Sequence, residues 1–231
     1  MTAKAVVQRH AVVTGASSGI GEAIVQRLLA DGWRVTGLCR TPAKHDVEHL
    51  TIVPVDVTDF AALRLIVDAI DTCDAVVHAA GFMRTAPLGE LTAADGAAMW
   101  RLHVDAAAFL ANALLPKMSA GGRIVLIGSR TANGAAIRSQ YAATKAALVG
   151  MARSWAAELA PRGITVNVVA PGATDTPLLN DPARAGTPPK LPPIGRFVKP
   201  SEVAALTGFL LGADAGAITG QQIVMCGGSS L

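Results

Sequence analysis

The sequence predicts one α/β domain over residues 1–231, a doubly wound sheet of about seven parallel strands with helices on both faces. Three observations predict it. Short apolar runs alternate with helical stretches along the chain, as in right-handed βαβ units. The first apolar run breaks at a glycine turn that leads into a helix. A chain of 231 residues that is 51% hydrophobic can also bury one sizeable core.

The first predicted strand, His10–Thr14, is followed by a turn containing Gly15, Gly19 and Gly21 and by a helix that runs to Ala30. Glycine has no Cβ, so backbone amides and the positive helix end can approach a pyrophosphate closely. The turn therefore indicates a Rossmann-type dinucleotide site. The alternative is a tight strand–helix connection that binds nothing.

A second strand is predicted over Arg34–Cys39, and Arg40 follows it directly. Folds of this type place Asp or Glu near this point when they bind the ribose 2′-hydroxyl of NAD. No carboxylate stands here, and a guanidinium can hold a 2′-phosphate through paired hydrogen bonds. We therefore predict that Arg40 selects NADP(H), the alternative being a solvated arginine at a strand end.

The middle of the chain continues the alternation. We predict a strand over Leu50–Val55, a helix that ends near Ile70 with Thr58 or Asp59 as its cap, and a strand from Ala75 toward Gly81. A long helix is expected from about Ala94 to Met118, with His103 on an otherwise apolar face. Such a histidine is either a satisfied core residue or a functional one.

A fifth strand, Gly122–Ser129, brings Ser129 to the edge of the sheet where open α/β folds place their sites. Tyr141, the only tyrosine, follows twelve residues later and Lys145 four residues after it. Positions i and i+4 of a helix share a face, so the phenol and the ammonium can meet. A cation near a phenol favours the phenolate, which makes the tyrosine a better acid and base at neutral pH.

In this order and spacing the motifs resemble those of the short-chain dehydrogenase/reductase family. The resemblance covers nearly the whole chain and is carried by five segments: Thr14–Gly21, His78–Gly81, Ser129 with Tyr141-x-x-x-Lys145, Asn167–Gly172, and Ile218–Gln221 with Cys226–Gly228. It implies that Tyr141 exchanges a proton with the substrate oxygen, that Ser129 hydrogen-bonds that oxygen, and that Lys145 tunes Tyr141 and holds the nicotinamide ribose.

The resemblance also implies a cofactor-binding set: Gly15, Ser17, Ser18, Gly19, Ile20, Gly21, Arg40, Asp56, Val57, Ala79, Ala80, Gly81, Tyr141, Lys145, Pro171, Gly172, Thr174 and Thr176. In it Asp56 would contact the adenine amino group, and Pro171 to Thr176 would hold the nicotinamide carboxamide.

Two departures from the family pattern concern the site. Thirteen residues before Pro116, where the family usually has asparagine, this chain has His103, which we treat as a candidate proton relay. The interval from Ser129 to Tyr141 is one residue shorter than the family's usual thirteen, so the pocket wall formed by residues 130–140 is expected to differ.

Specificity is expected to lie in a proline-rich substrate lid over residues 177–199. The lid is shorter than a large hydrophobic substrate would need. Arg84, Arg130 and Arg138 either line the pocket and favour an anionic substrate or are solvated surface residues.

Composition excludes several other classes. The net charge of +3 and the isoelectric point near 9.0 come without a basic run and with few aromatics, which disfavours nucleic-acid binding. No apolar run reaches the length of a membrane span, so a cytoplasmic chain is expected. Three cysteines without a zinc spacing predict reduced thiols and no metal site.

Together these features predict an NADP(H)-preferring oxidoreductase that interconverts a small-molecule carbonyl and a secondary alcohol. NAD(H) as cofactor of a family alcohol dehydrogenase is one alternative. A catalytically weak NADPH-binding regulator is the other. By analogy with the family, and because the helix that holds Tyr141 is rich in alanine, a homotetramer or homodimer is expected.

Overall fold

The computed structural model describes residues 8–41, 47–181 and 188–231. Its centre is a seven-stranded sheet in the order β3-β2-β1-β4-β5-β6-β7. Every strand pair is parallel. The strands are β1 His10–Thr14, β2 Arg34–Cys39, β3 Leu50–Pro54, β4 Ala75–His78, β5 Arg123–Ile127, β6 Thr165–Pro171 and β7 Gln222–Met225. The predicted fold class is confirmed.

Within the described parts of the chain, six α-helices connect the strands. They are α1 Gly19–Ala30, α2 Phe60–Asp68, α3 Ala93–Trp100, α4 Ala106–Leu114, α5 Ser139–Leu159 and α6 Pro200–Leu211. The side chain of Asp59 caps α2 by accepting from the backbone N–H groups of Ala61 and Ala62.

The core has two layers, one on each face of the sheet. One layer packs α2, α4 and α5 around residues such as Leu110 and Leu148, which are at most 1% exposed. The other packs α1 and α6 around Leu28 and Leu210. Since strands buried on both faces are mostly apolar, this arrangement accounts for the largely apolar runs in the sequence.

The long helix predicted from about Ala94 to Met118 is interrupted in the structure. Between α3 and α4 lies one turn of wider π-helix, Arg101–Asp105, and α4 ends in a short 3₁₀ turn, Leu115–Lys117. In the wide turn Ala106 N–H donates to Arg101 O, although in an α-helix it would donate to Leu102 O. The carbonyl of Leu102 instead accepts from the side chain of His78 at 3.0 Å.

The strand order reverses between β1 and β4, so the connections after these strands leave toward opposite faces. The carboxyl ends of β1, β4 and β5 border the crevice formed there, which is the usual ligand position in an open α/β sheet. Among the residues that the structure describes, none of the helices combines the length and apolarity that a membrane crossing requires.

Candidate active site

Tyr141 and Lys145 lie one turn apart near the start of α5, and both are buried, with 7% and 4% of their surface exposed. Lys145 Nζ lies 5.8 Å from the centroid of the Tyr141 ring and donates to the carbonyl of Ile127 at 2.9 Å. Burial lowers the pKa of Lys145 from 10.5 to about 7. The ammonium is therefore close to its titration point at neutral pH.

Ser129 follows β5 in an extended backbone conformation and is buried. Its Oγ accepts from Thr131 N–H at 3.2 Å and lies 2.7 Å from Thr131 Oγ1. This capping of the turn Arg130–Asn133 holds the Ser129 hydroxyl in place. Ser129, Tyr141 and Lys145 line the same pocket of about 350 Å³.

His103 is completely buried in the wide turn and lines neither of the pockets described here. Its Nε2 accepts from Phe82 N–H at 3.2 Å, so the ring proton is on Nδ1, which lies 2.8 Å from Thr144 Oγ1. Burial holds the pKa of His103 well below 6.5, with the nearby charge of Lys145 acting in the same direction. The imidazole is neutral, and both of its nitrogens are occupied by protein partners.

A second buried histidine, His78 at the end of β4, was not among the predicted site residues. Thr14 Oγ1 accepts from the N–H groups of Ala79 and Ala80 at 3.0 and 3.1 Å, so its hydroxyl proton goes to His78 Nδ1 at 3.0 Å. His78 Nε2 then donates to Leu102 O. Burial lowers the pKa of His78 to about 3. A histidine at the end of a strand beside the predicted crevice was the available signal for this network.

A larger pocket of about 710 Å³ runs from the glycine turn to the ends of β2 and β3. Its described lining includes eight of the predicted cofactor residues: Gly15, Ser17, Ser18, Arg40, Asp56, Val57, Ala80 and Gly81. Arg101, which was not predicted, also lines it and donates to Thr58 O at 2.8 Å.

Gly15 shows why this turn needs glycine. Its φ is +70°, and a Cβ there would lie 2.9 Å from the backbone of Ala80. The backbone after β1 therefore lies directly against the backbone after β4. Asp56, farther along the pocket, has its pKa lowered chiefly by the backbone N–H of Thr58.

Gly81 and Phe82 line both pockets, so the two form one continuous groove. Besides Gly81, the smaller pocket is lined by the predicted residues Ile20, Ala79, Ser129, Tyr141, Lys145, Pro171, Gly172, Thr174 and Thr176. Gly19 and Gly21 line neither. Gly21 instead packs against the carbonyl of Gly15, and Gly19 against Thr176.

The predicted lid contributes Leu178, Leu179, Pro189, Lys190, Leu191 and Pro193 to the wall of the smaller pocket. Pro182 lies outside the described residues. Of the three arginines considered from the sequence, Arg130 and Arg138 line this pocket. Arg84 does not, and its guanidinium lies 3.9 Å from Asp95 and 3.8 Å from Asp181.

This geometry supplies a phenol, a hydroxyl and an ammonium at one end of a groove whose other end has a glycine-rich floor and an arginine. Such a set can bind an elongated phosphorylated ligand and exchange a proton with a carbonyl or alcohol beside it.

The chain is similar to known proteins over nearly its whole length. Residues 15–230 match the family model described as enoyl-(acyl carrier protein) reductase. The chain is 35% identical over 234 residues to 3-oxoacyl-[acyl-carrier-protein] reductase FabG of Salmonella typhimurium, an alignment that covers 94% of this chain and 96% of the relative.

Two solved structures are similar over nearly their whole length. A short chain dehydrogenase from Burkholderia cenocepacia in complex with NADP has 35% identity and a TM-score of 0.86, with 97% of this chain and 99% of the other covered. A blue fluorescent protein from a metagenomic library, in complex with NADPH, has 32% identity and a TM-score of 0.86, with 96% and 98% covered.

Proposed function

The chain belongs to the short-chain dehydrogenase/reductase family of oxidoreductases, and from that premise we propose that it transfers hydride between NADP(H) and a carbonyl or secondary alcohol. The observation that carries this proposal is the placement of Ser129, Tyr141 and Lys145 around one pocket that continues into the groove over the glycine turn.

The chain's own groups support the acid–base half of the reaction. When the cofactor is bound, it supplies or accepts the hydride at the substrate carbon. In the reductive direction Tyr141 gives its hydroxyl proton to the substrate oxygen as the C–O double bond becomes single, and Ser129 donates a hydrogen bond to that oxygen. In the oxidative direction Tyr141 takes the proton back. Positive charge on Lys145 stabilises the phenolate that remains after proton transfer.

The residues of the groove fit a dinucleotide. Gly15, Ser17 and Ser18 line the larger pocket, and α1 begins directly after Ser18, so the positive N-terminal end of this helix can bind a pyrophosphate there. Arg40 lies in the same pocket as this turn. NADP and NADPH occupy the two similar structures named above, which supports a preference for the 2′-phosphorylated cofactor.

His103 is proposed as a positioning residue and not as the proton relay considered from the sequence. A relay must both accept and release a proton, and both imidazole nitrogens already bond to Phe82 N–H and Thr144 Oγ1. The neutral ring lies edge-on to Tyr141, with 5.6 Å between centroids, and supports the phenol by packing.

The test is turnover by the wild type and by Tyr141→Phe, each with NADPH and NADH, against a panel of ketones, keto acids, keto sugars and acyl thioesters. We expect the phenylalanine variant to lose about 10²- to 10⁴-fold in kcat while still binding NADPH, because only the proton donor is removed. Cofactor fluorescence would check binding.

The two alternatives have distinct outcomes. Higher kcat/KM with NADH than with NADPH would support the NAD-dependent alcohol dehydrogenase. Tight NADPH binding without turnover on any member of the panel would favour the regulator. Equal turnover by wild type and Tyr141→Phe would refute the proposed mechanism.

A further inference from the structure

We propose that Arg101 is a second determinant of the preference for the 2′-phosphorylated cofactor, because its positive charge offsets the negative charge of Asp56 and keeps the larger pocket positive. The inference rests on the proposed function, in which this pocket holds the adenosine half of NADP(H). It adds a residue that the family motifs do not indicate and a physical role for it.

The first observation is the charge of the pocket wall. Three charged residues are among the described residues that line the larger pocket: Arg40, Asp56 and Arg101. With Arg101 their formal charges add up to +1, and without it the other two cancel. A phosphate monoester carries about −1.5 to −2 charge at pH 7. A pocket of net positive charge attracts this group, whereas a pocket of zero net charge does not.

The second observation is how close Asp56 lies to Arg40. The backbone N–H of Val55, directly after β3, donates to the carbonyl of Cys39 at the end of β2 at 2.8 Å. Arg40 and Asp56 are the next residues of these two neighbouring segments, and both line the pocket. A group bound by Arg40 is therefore also exposed to the negative charge of Asp56.

The third observation is that Thr58 holds Asp56 and Arg101 near each other. Asp56 Oδ1 accepts from the backbone N–H of Thr58 at 2.9 Å and from its hydroxyl at 2.8 Å. The carbonyl of Thr58 accepts from Nε and Nη2 of Arg101 at 3.1 and 2.8 Å. The carboxylate and the guanidinium are therefore bonded to the same residue at the edge of the pocket.

The side chain of Arg101 is fixed although it is exposed. Its guanidinium carbon lies 4.6 Å from the centroid of the Phe60 ring, which adds a cation–π contact to the two bonds to Thr58. A side chain that is already ordered loses little further conformational entropy when a ligand binds. Its positive charge is therefore present at one place in the pocket before the cofactor arrives.

The charges act on one another without direct pairing. The pKa of Asp56 is lowered chiefly by the backbone N–H of Thr58, and the charges of Arg40 and Arg101 act in the same direction. Within the described residues neither arginine forms an ion pair with a carboxylate. Because the interaction is mutual, ionised Asp56 offsets part of the positive charge near it, and Arg101 restores the balance in favour of an anion.

The test is equilibrium binding of NADPH and of NADH, measured by calorimetry with wild type, Arg101→Gln, Arg101→Lys and Arg64→Gln. The two cofactors differ only in the 2′-phosphate, so the ratio of their Kd values isolates the contribution of this group. Arg64 is the matched control because its guanidinium also lies over a phenylalanine ring, 5.0 Å from the centroid of Phe109, but lines neither pocket. Thermal denaturation verifies that each variant is folded.

We expect Arg101→Gln to lower the preference for NADPH over NADH about 5- to 10-fold at low salt, the effect of losing one charge near the phosphate. At about 1 M salt, where the Debye length falls to about 3 Å, the difference from wild type should shrink. Arg101→Lys should keep most of the preference because it keeps the charge. Arg64→Gln should keep the wild-type ratio.

Asp56→Asn tests the charge mechanism itself. Combined with Arg101→Gln, it removes one charge of each sign, so the ratio of the two Kd values should return toward that of the wild type. Any contact of Asp56 with the adenine affects both cofactors and cancels in the ratio. A ratio that stayed as low in the double variant as in Arg101→Gln would overturn the charge mechanism.

The failures are distinguishable from those of the proposed function. An unchanged ratio in Arg101→Gln, or an equal fall in Arg64→Gln, overturns the inference and leaves the proposed function intact. Equal weakening of NADPH and NADH in Arg101→Gln also overturns it, because the arginine would then only hold the loop at Thr58. If the wild type bound NADH as tightly as NADPH, the proposed cofactor preference would fail, and the inference with it.

Discussion

The Nδ1 atom of His103 lies 2.8 Å from Oγ1 of Thr144, and that hydroxyl in turn donates to the carbonyl of Tyr141 at 2.8 Å. Two consecutive hydrogen bonds between uncharged groups therefore connect the wide turn between α3 and α4 to the first turns of α5. Because Thr144 lies between Tyr141 and Lys145 in the sequence, these two hydrogen bonds fix the helix segment that presents both side chains to the pocket.

Replacing Thr144 with valine should lower both stability and kcat. The change leaves the buried Nδ1–H of His103 unsatisfied, which costs about 1–3 kcal/mol in unfolding free energy. Urea unfolding and steady-state kinetics measure the two effects. Since neutral His103 does not titrate, the pKa values of the pH–rate profile should not move.

Thr144→Ser is the matched control because it keeps the hydroxyl. Equal stability of the valine and serine variants would show that the hydrogen bond from His103 contributes nothing. A shifted limb of the pH–rate profile would instead restore His103 as a titrating relay.

Replacing Arg40 with glutamine should lower the preference for NADPH over NADH by roughly 10- to 100-fold in kcat/KM, because one charge-assisted hydrogen bond to the 2′-phosphate is lost. Arg40→Asp should lower it further through repulsion of the phosphate. The ratio of the two cofactors' kcat/KM values is the measurement.

Arg34→Gln serves as the control for Arg40, since Arg34 is an exposed arginine at the other end of β2. If Arg34→Gln and Arg40→Gln changed the ratio equally, the effect would come from net charge and not from a contact at the end of the strand.

Binding of NADPH should be accompanied by proton uptake at pH 8. The pKa of Lys145 is about 7 in the free protein because of burial, so most molecules lack this proton at pH 8. The negative charge of the cofactor raises that pKa, and the bound state therefore takes up a proton. Calorimetry in two buffers of different ionisation enthalpy counts the protons exchanged.

Because binding takes up a proton, NADPH affinity should weaken as pH rises above about 7. Lys145→Met should bind NADPH without proton uptake. The same proton count in this variant and in the wild type would mean that another group titrates.

Acid should destabilise the fold through its buried histidines. The pKa of His78 is about 3 in the folded chain and 6.5 when unfolded, so the unfolded state binds more protons between these values. Stability is therefore lost as pH falls from 6.5 toward 3, by about 1.4 kcal/mol per pH unit for each such histidine. Urea unfolding at pH 7 and pH 5 measures the loss.

His78→Asn should lose less stability over this interval than the wild type, although it starts from a lower value at pH 7. His49→Asn, at an exposed position, should follow the wild type. If the unfolding free energies of His78→Asn and wild type had the same pH dependence, protonation of His78 would not be the cause of the lost stability.

Much of the fold followed from local pattern. The bounds predicted for β1 and β2 are those of the structure, because each strand has a clear break at its end, Gly15 after β1 and Arg40 after β2. The wide turn at Arg101–Asp105 could not be predicted in this way. Its freed carbonyl, Leu102 O, is bonded by His78, 24 positions away in the chain, and no local periodicity records such a bond.

Some residues of the candidate site could be predicted from the sequence and others could not. Ser129, Tyr141 and Lys145 were predicted from the motif and line one pocket. Thr14, His78 and Thr144 were not predicted as site residues. Their position in or beside the motifs was visible in the sequence, but the hydrogen-bond partners that tie them to the pocket lie far away in the chain.

The sequence by itself determined the strand–helix order, the glycine turn after β1 and the placement of Tyr141 and Lys145 on one helix face, since each depends on residues only a few positions apart. The tertiary structure alone decided that His103 is neutral and fully bonded, and that Arg130 and Arg138 line the pocket while Arg84 lies among carboxylates. Burial and charged partners come from segments distant in the chain. They determine whether a pKa is raised or lowered and which groups an arginine side chain lies beside.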